Sequence, residues 1–302
     1  MLKGLAITPP VIGRISIGRV IEKNGKRLPE KDDQFTITTQ VQHKDGWMLH
    51  PQDEAQRKLH GGDKLRAIDI LLPFSDPDLN LRADYSYFDR ENGRLVCMGD
   101  GESCRRVTHE GIQTLPCATP DDCGFHERQC KPYGRLYVTI GDQDELGTFV
   151  LRTTSYNSIR TLAARMRYFH AVSGGLLACM PLELRLRGKS TTQSYRSAIY
   201  YVDLVVGQGL KLEEAIRQAQ QLDAQRRESG FDQDALDKAA RLGFVNGAFE
   251  ESEEDVPAIV EEFYPQEGGG STEGSESGSP PPPTVIAPPK SLKAKLDRKA
   301  AA

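Results

Sequence analysis

The chain has 302 residues, 38% of them apolar and 27% charged, with a formal net charge of −4. That apolar share is below the roughly 45–50% of a fully globular chain, and no run approaches the roughly 20 apolar residues that a membrane span needs. Charge is segregated: residues 249–279 hold ten acidic residues and no basic one, residues 290–302 hold five basic and one acidic, and the remainder has 34 basic against 32 acidic. The folded part is therefore near neutral, which does not mark it as a strong polyanion binder.

Residues 1–10 contain no apolar stretch ahead of a cleavage site, so no signal peptide is expected. Six cysteines in such a chain predict a reducing, cytoplasmic setting, where clustered cysteines more often bind metal or stay free than pair as disulfides.

Short strands and turns open the chain. Val11, Ile12, Ile15 and Ile17 flank Gly13 and Gly18, and Asn24-Gly25 is a turn signal between two strands. Residues 34–41 alternate Phe35, Ile37, Thr39 and Val41 on one face, the pattern of a half-buried strand. A short helix or loop at 43–63 precedes an Ile- and Leu-rich buried strand at 64–73. A hairpin at 85–98 turns at Glu91-Asn92-Gly93.

Periodicity is lost over 99–133, where Gly, Pro, Asp and Cys dominate and a Cys-rich loop is expected. It returns as strands at 135–140 and 148–153. Tyr156, Ile159, Leu162, Met166 and Phe169 then fall at helical spacing, with Ser155 as N-cap and Gly174-Gly175 as the stop. A second hairpin is expected over 182–206, followed by amphipathic helices at 212–227 and 233–242.

These elements predict an α+β fold with a mixed, mostly antiparallel sheet. The domain plan is an α+β domain over 1–206 with its Cys-rich loop at 99–133, a helical extension over 207–248, and a disordered acidic, Pro-rich linker with a basic end over 249–302. The composition of that last segment cannot bury enough apolar surface to offset a backbone entropy of roughly 1–2 kcal/mol per residue.

The cysteine cluster is the sharpest chemical signal. Cys104, Cys117, Cys123 and Cys130 lie in the one stretch without apolar periodicity. A region with no core of its own needs another constraint, and Zn²⁺ held by thiolates provides one. Cys97 and His126 are alternative ligands. The spacings are not those of a common zinc finger, so unligated buried thiols are the competing reading. Four thiolates would leave no open position, which points to a structural ion and not a hydrolytic one. Cys179, in an apolar run, is assigned to the core.

Ser155, Asn157 and Ser158 crowd a helix N-terminus, where free N–H groups and the dipole favour an anion such as a DNA phosphate. Ordinary capping is the commoner use of such residues. Arg160 and Arg167 share one face of the same helix and form a weak patch, equally consistent with a solvated surface. There is no Walker A loop, no G-x-G-x-x-G after a strand, no H-E-x-x-H and no G-x-S-x-G. Asp76-Pro77-Asp78 reads as a turn.

Four blocks in order carry a resemblance. They are Gly13-Arg14-Ile15-Ser16-Ile17-Gly18 with Leu28-Pro29-Glu30-Lys31; Gly93-Arg94-Leu95-Val96-Cys97-Met98-Gly99-Asp100-Gly101; Cys130-Lys131-Pro132-Tyr133-Gly134-Arg135-Leu136; and Thr154-Ser155-Tyr156-Asn157-Ser158-Ile159. Together, over roughly residues 4 to 206, they resemble the recombination directionality factors of phages and integrative elements that work with large serine integrases. The resemblance implies a non-catalytic accessory, acting in the cytoplasm of a bacterial host without membrane or small-molecule substrate. It would bind the integrase on DNA and favour excision over integration. The alternative is a zinc-stabilised DNA- or single-strand-binding accessory of phage or conjugative-element metabolism. A metal-dependent hydrolase using Asp100 or His126 is a distant third.

Overall fold

The fold is taken from a computed structural model, which describes residues 10–23, 26–43, 46–125, 129–141, 147–190, 198–207, 209–244, 259–260 and 263–264. Nine strands form one sheet: β1 (Val11–Lys23), β2 (Lys26–His43), β3 (Gly46–Leu49), β5 (Leu81–Phe88), β6 (Leu95–Gly99), β7 (Ser103–Thr108), β8 (Gly111–Pro116), β9 (Lys131–Val138) and β10 (Thr148–Thr153). Their order is β3-β2-β1-β10-β9-β5-β6-β7-β8. Among the described residues of this sheet, the β1–β10 pair is parallel and the other pairings are antiparallel. A second sheet has the order β12-β11-β4, built from β4 (Ala67–Ile70), β11 (Leu182–Lys189) and β12 (Ile199–Val206). The expected α+β fold with a mostly antiparallel sheet is what the chain adopts.

The helices are α1 (Pro51–His60), the single turns α2 (Pro77–Asn80) and α3 (Thr119–Asp122), α4 (Tyr156–Val172), α5 (Leu212–Glu228) and α6 (Gln233–Phe244). Among the described residues, no helix is long and apolar enough to cross a membrane.

Period-2 burial builds the main core. Phe35 and Ile37 of β2, Leu136 and Val138 of β9, and Phe149 and Leu151 of β10 face Leu182, Leu184 and Leu204 of the smaller sheet, with Leu162, Met166 and Phe169 of α4 in the same cluster. Val41, which the alternation placed on the buried face, is 52% exposed, because the β2–β3 register shifts between Thr38 and Gln42 and releases the strand end from the core. At Gly13, a Cβ would stand 2.6 Å from the Phe149 ring, so the first family-like block holds a glycine where β1 meets a buried aromatic. Asn24 and Gly25 lie outside the described residues, but the Lys23–Lys26 pair closes the expected hairpin around them.

The stretch expected as a Cys-rich loop differs most. It contains the β7–β8 ribbon, paired from Ser103–Pro116 to Thr108–Gly111. Strands at the end of a sheet with both faces part-exposed have no buried face to enforce alternation, so hydrophobic periodicity does not report them.

Within the segment read as tail, Ile259 and Phe263 are fully buried against Phe88 and Tyr133. Tyr264 Oη donates 2.7 Å to the Phe88 carbonyl. The rest of 249–302 lies outside the described residues.

Candidate metal centre and contact residues

All five cysteines of the ribbon region converge. Cys97 of β6 and Cys104 of β7 are buried beside Tyr87, with Cys117, Cys130 and Phe125 packed on them. Cys123 joins through Arg106, whose Nη2 lies 3.9 Å from both the Cys104 and the Cys123 sulfur. The same guanidinium stacks 3.8 Å from the Phe125 ring centroid. Cys104 also reaches the Pro116 carbonyl at 3.7 Å.

The local chain is shaped for this approach. Gly99 sits opposite Cys104 in the β6–β7 register. A Cβ there would stand 2.7 Å from Cys104 Cβ and 2.9 Å from Cys117 Sγ, so only glycine lets both sulfurs close in. Asp100 follows in the turn, where its Oδ1 accepts from the Glu102 and Ser103 amides at 2.8 Å each. Hydrogen bonds from Ser103 and then Glu102 hold its carboxyl below the usual range. Asp100 is thus a turn-forming residue.

Burial first, and then Cys97, push the Cys104 thiol up to about 11. Burial and the same neighbour push Cys130 up to about 12, with Cys117, Cys123 and Cys104 adding to it. Crowded, buried sulfurs favour the neutral thiol, and the nearby Arg106 guanidinium only partly offsets this at Cys104.

As a donor set, four or five sulfurs suit zinc. Their spacing is more open than ligation requires: bonds of about 2.3 Å put tetrahedral sulfurs about 3.8 Å apart, whereas the one set of three ligand atoms within 4.8 Å of one another among the described residues lies elsewhere. Binding would draw the sulfurs inward. His126 lies outside the described residues. Arg106 was not singled out in the sequence; its alternation with Cys104 on β7 is the signal that could have found it.

The second group of candidates is dispersed in role. Ser155 caps α4, accepting from the Ser158 amide at 3.3 Å. Ser158 is fully buried, and its Oγ accepts from the Val202 amide of β12 at 3.1 Å. Asn157 Oδ1 accepts from Lys189 Nζ at 2.7 Å. Arg167 pairs with Asp78 at 3.3 Å, both exposed, and Arg160 is exposed. The helix start joins α4 to the smaller sheet. Of the named residues, Arg160 and Arg167 are the ones that face solvent.

The fold and this ribbon define an α+β protein whose distinctive feature is a cysteine-lined sheet end. Residues 12–207 match the Gp3-like family model, described as recombination directionality factor-like. That is more than half of the chain, which therefore belongs to this family and has an accessory role in recombination involving a recombinase. No curated protein and no solved structure matches it.

Proposed function

We propose that this protein binds the serine integrase of its mobile element on DNA and biases recombination toward excision without catalysing a step itself. The family match, which takes in both sheets and the cysteine ribbon, carries this reading. The mechanism is population shift. Turning a 1:99 equilibrium into 99:1 needs about 10⁴-fold tighter binding to one integrase–DNA arrangement. That calls for a broad, rigid surface in preference to a pocket. The terminal strand β3 offers one, with Met48 and Leu49 of β3 and Val41 of β2 exposed by 43%, 61% and 52%.

In this reading Cys104, Cys117, Cys123 and Cys130, with Cys97 adjoining, hold a structural Zn²⁺. The ion would neutralise the thiolates and tie the β7–β8 ribbon to the start of β9. Zinc analysis of protein purified without chelator tests this directly: metal-free protein would remove the ion from the account.

The functional test uses the element's own integrase on integration and excision substrates. Addition of the protein is expected to raise excision product and lower integration product. An unchanged product ratio would overturn the proposal. Sequence-independent DNA affinity that falls steeply with salt would instead favour the nucleic-acid-binding alternative.

A further inference from the structure

We infer that His60, Asp69 and Glu183 form a binding site for a divalent transition-metal ion, separate from the cysteine ribbon. The three residues come from different elements. His60 ends α1, Asp69 lies in β4 and Glu183 in β11. Asp69 and Glu183 are direct partners in the antiparallel β4–β11 register, so their carboxylates share one face of the sheet. Two like charges placed opposite each other are destabilising unless a cation lies between or beside them. His60 Nε2 stands 3.5 Å from Asp69 Oδ1, and one ligand atom from each of the three residues lies within 4.8 Å of the others.

What singles out the cluster is unmet hydrogen bonding. His60 Nε2, Asp69 Oδ1 and Glu183 Oε2 are each buried, with no hydrogen-bond partner among the described residues. The Glu183 side chain is fully buried and that of His60 is 9% exposed. Buried polar atoms are paired in roughly nine cases of ten; three unpaired ones converging on a point indicate a missing occupant.

The surroundings orient the set. Arg185 donates to Glu183 Oε1 through Nε at 2.7 Å and Nη2 at 2.6 Å, leaving Oε2 for the site. The buried Gln56 of α1 accepts from the Asp69 amide at 3.0 Å, fixing the helix to β4 beside the carboxylate. Supporting bonds of this kind accompany most ligating side chains.

The chemistry selects the ion. Bonds of about 2.0–2.2 Å place ligand atoms about 3–3.5 Å apart, which the His60–Asp69 separation already meets. Two carboxyl groups, Asp69 and Glu183, stand against the one guanidinium of Arg185. One nitrogen with two carboxylate oxygens suits Zn²⁺ or Mn²⁺ better than Ca²⁺ or Mg²⁺, which take all-oxygen sets. The site also lies at the C-terminal end of α1, where the helix dipole favours a cation. Asp69 is 40% exposed and gives the ion a route from solvent. Three protein ligands leave the remaining coordination to water or to a group brought by a partner.

The test is Mn²⁺ titration of the full chain, stripped with chelator and kept reduced, followed by the electron paramagnetic resonance signal of free Mn²⁺. Mn²⁺ prefers carboxylate and imidazole to thiolate, so it reads this site apart from the ribbon. One ion per chain is expected. Affinity should fall by at least about 100-fold in His60→Ala and in Asp69→Asn, the upper end of what loss of a supporting residue alone costs, and should be unchanged in Cys104→Ser. Should either variant unfold, paramagnetic broadening of the wild-type histidine ring resonances decides the matter, with His60 the first to broaden. No binding of Mn²⁺ by the folded wild-type chain would overturn the inference. So would equal affinity in the folded variants, or broadening spread over other histidines.

Discussion

Replacing Ser158 with alanine separates the two uses that a hydroxyl at the start of a helix can have. Ser158 Oγ is the acceptor for the Val202 amide in a fully buried setting. Val202 belongs to β12, the terminal strand of the smaller sheet. Alanine would leave that N–H buried and unpaired, at a cost of about 1–3 kcal/mol. The N-cap itself survives, because Ser155 accepts from the backbone amide of residue 158. Alanine's better helix propensity offsets about 0.5 kcal/mol, so the net loss is about 0.5–2.5 kcal/mol. In a domain of this size each kcal/mol lowers Tm by about 2–4 °C. Urea or thermal unfolding reads the loss, and excision stimulation per folded molecule, measured well below the transition, should match the wild type. Unchanged stability with lost excision stimulation would refute the reasoning and place Ser158 at an interface.

Phe263→Ala removes a ring packed edge-on to Phe88 at 4.9 Å and Tyr133 at 5.8 Å; about 3–5 kcal/mol is the ceiling, and faster proteolysis between 244 and 264 is the expected sign of an undocked segment. Leu49→Glu, on an exposed side chain, should leave stability within about 0.5 kcal/mol of the wild type yet reduce excision stimulation. In metal-free protein, burial and Cys97 hold protons on Cys104 and Cys130 to about 11 and 12, whereas unfolded thiols lose theirs near 8.5. Both should therefore resist alkylation at pH 8 in mass-spectrometric mapping, and metal-free stability should fall as pH rises from about 8.5 toward 11. Gly99→Ala should separate Cys104 from Cys117 and lower bound zinc in elemental analysis, while a circular dichroism spectrum still shows the sheet.

Legibility in the sequence followed burial. β10 and α4 were readable because one face of each is buried by many partners, and the Ser155 cap because its hydroxyl precedes a helical repeat. The β7–β8 ribbon was not, since a part-exposed pair at a sheet end leaves residues such as Val107 and Ile112 outside. The cysteines were legible as a cluster through nearness in sequence, but Arg106 among them was not. His60, Asp69 and Glu183 were hidden for a topological reason: β4 pairs with β11 across more than a hundred intervening residues, and no local pattern encodes that register. Ile259, Phe263 and Tyr264 were obscured by the acidic residues around them, whose charge dominates the composition while these few apolar side chains carry the packing.

The helices beyond residue 207 look like additions in sequence, yet they are built into the molecule. Ala215 and Ala219 of α5 lie in the main core with Leu182 and Leu204. Arg226 Nη1 donates to the Ala178 carbonyl at 3.3 Å. In α6, Asp237 accepts from the Ser75 and Asp76 amides, and Arg241 pairs with Asp76 at 2.7 Å. Cutting the chain at residue 206 would therefore strip buried surface from the family-matched part as well, and failure of such a fragment would report on stability and not on function. The comparison that isolates function keeps the helices and alters the two ends of the nine-stranded sheet: the exposed apolar edge at β3, and the cysteine ribbon at β8. Those ends are farthest apart in the strand order. Under the function proposed above, loss of excision stimulation on changing the β3 edge alone, with stability kept, would mark that edge as the integrase contact.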